Sequence, residues 1–385
     1  MVTILVTGCA GFIGSHVCTL LLDKGFSVVG VDNFDPFYDR AIKESNLVKL
    51  KPNTAFRFYE TDITAGFDVV EEKNIQAVIH LAAKAGVRPS IEDPAAYLKA
   101  NIVGTQKVHE FMQARSINKL VFASSSSVYG NAKKIPFSEE DNVDNPISPY
   151  AFTKKAGELM NYTFHHLYNI DIINLRFFTV YGPGQRPDLA IHKFVKKIAN
   201  GQPITLFGDG QTARDYTYID DTVSGIYNAL EYCLQNTGVY TTVNLGNNSP
   251  VKLDELVDTI YSSMGKEKNV VYEGMQPGDV DITFADISKA EALFNYKPTT
   301  KVGQNKCVCT RSGFSCFISF LNLIKANGKP ASDFVFKQIH FLHCSSSSKL
   351  FPGKRVTTTC SYSGSSLITL TSMVSAPPRM RLEMK

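Results

Sequence analysis

No apolar run in this 385-residue chain reaches the ~18 residues that a membrane-crossing helix needs, so no membrane partner is expected. No group of histidines and cysteines stands at metal-ligand spacing, so no bound metal is expected, and His80, set in an apolar stretch, reads as a core residue. There is no internal repeat of the solenoid type. Acidic residues are nearly missing from one part of the chain. Residues 306–385 hold 11 Lys and Arg against 2 Asp and Glu, which leaves 29 against 34 for the first 305 residues, out of totals of 40 and 36. The formal net charge of +4 is thus the sum of a mildly acidic body (−5) and a basic tail (+9), and the body has no case for binding nucleic acid. Cysteine is sparse in the body, at Cys9, Cys18 and Cys233, while five more lie in the tail at 307, 309, 316, 344 and 360. The body's usage is ordinary for a reducing compartment, and a first strand starting at residue 2 leaves no room for a signal or transit segment, so a cytoplasmic protein is expected.

What the chain does have begins with that strand. Residues 2–7 form an apolar run of strand length. Gly8, Gly11 and Gly14 follow, and then Val17, Leu20, Leu21 and Leu22 recur at helical spacing up to Gly25. The pattern predicts strand, glycine loop and helix, the arrangement in which a backbone can approach a pyrophosphate and a helix N-terminus can meet its charge. A second apolar run, residues 26–31, ends at Asp32, 24 residues after Gly8, about where a carboxylate accepts hydrogen bonds from an adenosine ribose. Asn33 and not Arg comes next, and Asp32 would repel a 2′-phosphate, so the expected cofactor is NAD rather than NADP. Cys9, inside the loop, reads as a small side chain filling the turn.

At 44% hydrophobic residues the chain can bury a large core, as one big domain or two unequal ones. Strand signals at 56–61, 76–82, 120–123 and 170–177 alternate with helical patterns at 94–115 and 151–168. Such alternation predicts an α/β fold, a doubly wound parallel sheet of Rossmann type that binds ligands at the carboxyl ends of its strands. Asp62 stands at one such end, and a run of four serines, Ser124 to Ser127, at another. Tyr150 and Lys154 follow four apart at the start of a helix, hence on one face. A phenol with a free pKa of about 10 is a poor base at neutral pH. Bringing it to about 7 needs roughly 4 kcal/mol of differential stabilisation, which an ammonium and a positive nicotinamide ring in a partly dry cleft can supply.

Several long stretches together resemble the extended short-chain dehydrogenase/reductase family, the NAD-dependent epimerase/dehydratase enzymes of nucleotide sugars. They are Thr7-Gly-Cys-Ala-Gly-Phe-Ile-Gly14, Asp62-Ile63, Leu81-Ala82-Ala83, Asn101, Ser-Ser-Ser-Ser-Val-Tyr-Gly130 and Tyr150-Ala-Phe-Thr-Lys154. The resemblance runs from residue 1 to about 305. Within the family the chain looks most like the UDP-glucuronate 4-epimerases, through Asp32-Asn33-Phe34, Ala85-Gly86-Val87-Arg88-Pro89-Ser90, residues 175–188 and Ala213 to Asp221. The resemblance implies a cofactor site made by Gly8, Gly11, Phe12, Ile13, Gly14, Asp32, Asn33, Asp62, Ile63, Leu81, Ala82, Ala83, Asn101, Tyr150 and Lys154. It implies that Ser125 bonds the sugar 4-hydroxyl, Tyr150 takes its proton and Lys154 binds the nicotinamide ribose, with inversion at C4 through a 4-keto sugar. Substrate contacts fall to Arg88, Ser126, Ser127, Thr179, Arg186, Arg214 and Asp279. Gln276 stands where many relatives have Arg, which shifts diphosphate binding toward Arg214 and backbone groups. A homodimer through the helices at 94–115 and 151–168 is also implied. By position, residues 1–178 form the NAD-binding part, with 215–250 returning to it, and 179–214 with 251–305 form a smaller nucleotide-sugar-binding part.

Dehydratases and decarboxylases of this family carry an acid two residues before the Tyr of Val-Tyr-Gly, and this chain has Ser127 there, so simple epimerisation is expected. Oxidised glucuronate is a β-keto acid that loses CO₂ readily. Ser126, Ser127 and Thr179 are well typed to hold its carboxylate, although Ser126 could instead bond the local backbone and Thr179 end a strand. Two alternatives stay open: another nucleotide-sugar epimerase, decarboxylase or dehydratase of the same family, and a non-catalytic NAD-binding sensor. Beyond Asn305 the resemblance stops. The tail, with 14 Ser and 6 Thr in 80 residues, is expected to be poorly ordered, although Phe314, Phe317, Ile318, Leu321 and Ile324 fall at helical spacing.

Overall fold

The computed structural model describes residues 2–275 and 280–303, together with the backbone of three strands between 355 and 384. The chain divides into two units, Met1–Ala331 and Ser332–Lys385. In the first, Thr3–Thr7 (β1) feeds the glycine turn and the helix Phe12–Asp23 (α1), and Ser27–Asp32 (β2) returns parallel to β1, with Thr3 against Ser27 and Thr7 against Val31. Arg40–Leu47 (α2) leads to Phe56–Glu60 (β3), which extends the sheet beyond β2, whereas Ala77–His80 (β4) pairs with the other side of β1. Because the chain winds one way from β1 and then the other, the carboxyl ends of β1 and β4 part around a crevice.

Val87–Glu92 (α3), Pro94–Leu98 (α4) and Gly104–Ala114 (α5) come next, α4 and α5 being joined by a π-helical turn, Lys99–Val103. The helix expected at 94–115 is therefore real but carries an inserted residue in its spiral, a feature often found beside functional sites. Lys119–Ser125 (β5), the long helix Pro149–Tyr168 (α6) and Asp171–Phe177 (β6) continue the alternation. Then come Thr179–Tyr181 (β7), Ala190–Ala199 (α7), Ile204–Phe207 (β8), Ala213–Tyr218 (β9) and Ile219–Gln235 (α8). Tyr240–Leu245 (β10) closes the main sheet, whose order is β10-β6-β5-β4-β1-β2-β3, all parallel. Pro250–Lys252 (β11), Leu253–Met264 (α9), Val270–Glu273 (β12) and Ser288–Phe294 (α10) follow. They complete two small sheets, β11-β9-β7 and β12-β8, beside the large one.

Alternate residues of β1 explain why the apolar runs are continuous. Ile4 and Val6 join one buried cluster with Val17 and Leu21 of α1 and Ile226 and Leu230 of α8. Leu5 joins another with Val108, Phe111 and Met112 of α5. Both faces of the sheet are covered, so the strands are mainly apolar and the polar side chains they do carry, such as His80 and Arg176, are hydrogen-bonded. The strand expected at 76–82 ends early, because the N–H groups of Leu81 and Ala82 turn to Thr7 Oγ1 at 3.2 and 3.1 Å. No helix among the described residues is long and apolar enough to cross a membrane.

In the second unit Arg355–Ser361 (β13), Leu367–Met373 (β14) and Met380–Met384 (β15) form an antiparallel sheet. These strands lie in the stretch expected to be poorly ordered. Positions 314–324, noted for their helical spacing, lie outside the described residues.

Candidate active site

The crevice opens into a cavity of about 750 Å³ at the carboxyl ends of the main-sheet strands. Its floor is the glycine turn. Gly8 has φ +71°, and a Cβ there would lie 2.9 Å from the backbone nitrogen of Ala82. A Cβ on Gly14 would come within 2.1 Å of the Gly8 carbonyl oxygen. The turn is thus a cradle that only hydrogen atoms fit, held by Gly8 N–H to Val31 O (2.7 Å) and Gly11 N–H to Gly8 O (3.0 Å). It leaves the start of α1 open to an anion, as a dinucleotide pyrophosphate requires.

Gly8, Gly11, Phe12, Ile13, Gly14, Asp32, Asn33, Asp62, Ile63, Leu81, Ala82 and Ala83 all line the cavity. Asp32 ends β2 and accepts the N–H groups of Phe34 (2.8 Å) and Ala10 (3.1 Å). Burial pushes its pKa up against the pull of nearby Lys43. Asn33 donates to Asp62 at 2.9 Å, so the two strand-tip positions act as one rim. Asn101 is the exception among the expected cofactor residues. It does not line the cavity, because its amide is committed to the peptide of Lys84 (2.8 and 3.0 Å) and to Thr153 Oγ1 (2.9 Å), which makes it a brace between the loop after β4 and the first turn of α6.

That first turn carries the chemistry. Ser148 caps α6 by accepting Ala151 N–H, and Pro149 occupies the position where a missing N–H costs nothing. Tyr150 is held through its backbone, its N–H donating to Ser90 Oγ (3.1 Å) and its carbonyl accepting from Thr153 Oγ1 (2.8 Å). Its ring meets Tyr97 edge to face at 6.2 Å. Lys154, one turn on, donates to the Ala123 carbonyl at 2.7 Å. Ser125 ends β5 and accepts the Ser127 N–H at 3.1 Å. Ser125, Ser126, Ser127, Tyr150, Lys154 and Thr179 all face the same cavity, as do Arg186 and Arg214.

The protein's own groups move the two side chains in opposite directions from their free values. Burial raises the phenol of Tyr150, and the opposing pulls come from the Ser125 hydroxyl and the Arg186 charge. The Lys154 ammonium is turned to a carbonyl of β5, and burial brings its own pKa down to about 8 against the counter-pull of Glu158. The protein's own groups therefore do not bring the phenol toward neutrality.

Arg88 does not line the cavity. Its guanidinium lies 4.7 Å from the centre of the Phe207 ring. Arg186 forks onto Asp188 with bonds of 2.9 and 2.6 Å and stacks over Phe37. Arg214 donates to the Ala213 carbonyl at 2.9 Å. Asp279 lies outside the described residues. His80 is buried, with Thr7 Oγ1 at 2.7 Å and Thr105 Oγ1 at 3.1 Å, and no metal-holding cluster exists among the described residues.

Sequence reasoning missed four charged groups that line the cavity, Asp35, Lys43, Lys84 and Lys99, with Lys84 paired with Asp35 at 3.1 Å. Their signal was faint: two lie on the loop and helix after a strand-tip acid, the third directly after a strand-end loop, and the fourth opens the π-helical turn.

Residues 4–246 match the family model described as NAD dependent epimerase/dehydratase family. A UDP-glucuronate 4-epimerase of Thermodesulfobacterium geofontis is 45% identical over 302 residues, 77% of this chain and 92% of the relative. UDP-glucuronate 4-epimerase 1 of Arabidopsis thaliana is 43% identical over 319 residues, 78% of this chain and 73% of the relative. A crystal structure of UDP-glucuronic acid 4-epimerase from Bacillus cereus, in complex with UDP-glucuronic acid and NAD, superposes with a TM-score of 0.75 at 36% identity, covering 84% of this chain and 99% of that one.

Proposed function

Because the chain belongs to the NAD-dependent epimerase/dehydratase family, we propose that it is an isomerase that interconverts UDP-glucuronate and UDP-galacturonate by inversion at C4, with NAD retained through the turnover. One observation carries the reading: Ser125, Tyr150 and Lys154 converge on the cavity floored by the glycine turn, and Ser127 offers no acid beside them. The cradle at Gly8 and Gly14 and the Asp32 carboxylate at the tip of β2 fit a dinucleotide. When bound, NAD supplies a reversible acceptor for the hydrogen on C4.

The chain's own residues do the rest. Ser125 orients the 4-hydroxyl, and Tyr150 takes its proton and later returns it to the same C4 oxygen, while inversion comes from the C–H hydrogen returning to the other face of C4. Because burial alone raises the Tyr150 phenol, proton transfer relies on the positive charge of Lys154 and of the bound nicotinamide ring. Ser126, Ser127 and Thr179 hold the sugar carboxylate at the cavity wall, which keeps the 4-keto sugar from losing CO₂. Arg186 and Arg214 receive the diphosphate side. The nucleotide-sugar part comprises 179–214 and 251–305, set against a cofactor part of 1–178 and 215–250.

Incubation with UDP-glucuronate should yield UDP-galacturonate on anion-exchange chromatography, with no lasting absorbance of reduced cofactor and no CO₂. Steady release of CO₂, or accumulation of NADH, would replace this reading with that of a decarboxylase or a net oxidoreductase.

The enzyme is proposed to be a cytoplasmic homodimer. Its three described thiols, Cys9, Cys18 and Cys233, are free and buried, as suits a reducing compartment. Phe152 (48% exposed), Leu159 (57%) and Tyr162 (54%) on α6 leave an apolar face open, with Leu98 and Val103 beside the π-turn. A two-fold axis would pair this face with itself. Light scattering should give twice the chain mass, and Leu159→Glu should halve it.

A further inference from the structure

Three consecutive residues at the end of β5 are each held by one turn of α6. Ser125 stands beside the Tyr150 hydroxyl and draws its pKa down against burial, the Ala123 carbonyl takes the Lys154 ammonium at 2.7 Å, and Ser124 Oγ donates to Glu158 Oε1 at 2.6 Å. Tyr150, Lys154 and Glu158 stand four apart, on one face of the helix. The mechanism above uses the first two and leaves the third unexplained. Glu158 is buried, its side chain 4% exposed, and it grips Arg176 of β6 through two bonds of 2.9 Å. Arg176 reaches on to Tyr129, whose hydroxyl donates to Asn244 of β10 at 2.7 Å.

We infer that Glu158 is a positioning residue for the reaction: it registers the β5 tip against α6 through Ser124 and supplies the negative charge opposite the Lys154 ammonium. The inference rests on the reading of Tyr150 and Lys154 given above. The geometry supports it from two sides. Glu158 is the last of the three rungs that set where the Ala123 carbonyl and the Ser125 hydroxyl stand, and these are the partners of Lys154 and Tyr150. It also lies one turn from a cation taken out of water, where an opposite charge acts with little screening. The other groups around that cation do not replace it. His80 of β4 faces Lys154 but is held neutral by burial, and Tyr150 is uncharged when protonated. Around Glu158 stand Arg176 of β6, Tyr129 and, through its bond to the Glu158 carbonyl, Tyr240 of β10.

A second buried pair on the same two strands serves as the control. Lys119 and Asp171 meet at 2.6 Å where β5 and β6 begin, at the end away from the cavity. The test is kcat against pH for the NAD-loaded wild type, Glu158→Gln, Glu158→Asp and Asp171→Asn, with a thermal melt of each. Burial brings the Lys154 pKa down to about 8, so activity that needs the ammonium should fall through that region. Glu158→Gln should move this alkaline descent about one pH unit lower, a loss of about fivefold at the wild-type midpoint. Glu158→Asp, which keeps the charge, should restore most of it. Asp171→Asn should lower the melting temperature and leave the descent in place.

Glu158→Gln leaves the Arg176 guanidinium buried without its anion. Should that variant not fold, the double variant Glu158→Gln/Arg176→Gln, which removes both charges, should shift the descent in the same direction by a smaller amount, because loss of the Arg176 cation offsets part of the loss of the Glu158 anion. A Glu158→Gln or double-variant profile that superimposes on the wild type after scaling overturns the inference. Tyr150→Phe is assayed alongside. If it stays active, the assignment of Tyr150 and Lys154 has failed; if it is inactive while the Glu158 profile is unmoved, only the role of Glu158 has.

Discussion

Tyr150→Phe should lower kcat by about three orders of magnitude while the protein keeps its fold and its NAD. The substitution removes one oxygen and little else. The ring stays packed edge to face on Tyr97, and the backbone bonds to Ser90 and Thr153 do not involve the hydroxyl. What is lost is, among the described residues, the group at that point of the cavity placed to take a proton from the sugar, since Ser125 is already tied to Ser127 and Lys154 to a carbonyl. The check is turnover of UDP-glucuronate, NAD content from the absorbance of acid-released nucleotide, and a circular dichroism spectrum. Activity within tenfold of the wild type would remove Tyr150 from the mechanism.

The second large effect concerns the cofactor. Gly14→Ala should give a protein that purifies without NAD and melts several degrees lower. The added methyl carbon meets Gly8 O at 2.1 Å and the Gly8 carbonyl carbon at 2.8 Å, and these are backbone atoms that cannot rotate away. The turn must open, which strains the Gly11-to-Gly8 and Gly8-to-Val31 bonds that hold it, at a cost of about 1–3 kcal/mol or more. Gly25→Ala is the matched control. Gly25 has φ +84° but open space around the missing methyl, so the cost is confined to the backbone conformation, about 1–2 kcal/mol, and NAD should be retained. Equal NAD content in the two variants would show that close approach at Gly14 does not govern the cofactor site.

Both expectations rest on patterns already present in the covalent chain. The spacing of Gly8, Gly11 and Gly14, the apolar run before them and Asp32 after the next run are local patterns, and each became the element it pointed to. The same holds for Tyr150 and Lys154, because four residues on a helix return to one face whatever surrounds them. Glu158 was within reach of that rule, one further turn along, but only a partner makes a helix glutamate more than a solvated charge, and Arg176 lies on another strand.

Asn101 and Arg88 mark the opposite limit. Both sit inside stretches that resemble the family closely, yet the amide of one is taken up by Lys84 and Thr153 and the guanidinium of the other by the Phe207 ring. The direction of the Tyr150 shift belongs here as well. Residue type and spacing suggested a phenol drawn down by an ammonium and a nicotinamide ring together, and only the fold shows the chain's own share, a buried phenol and a cation bonded to a carbonyl.

By itself the amino-acid sequence determined the parallel α/β sheet, the dinucleotide turn and the Tyr150–Lys154 pair, since periodicity and short spacing are properties of the covalent chain. Tertiary structure alone decided which side chains face the cavity, which are already bonded elsewhere, and how far each ionisable group is removed from water. Those depend on distances between residues tens to hundreds of positions apart, and on a dielectric environment that exists only once the strands and helices have packed.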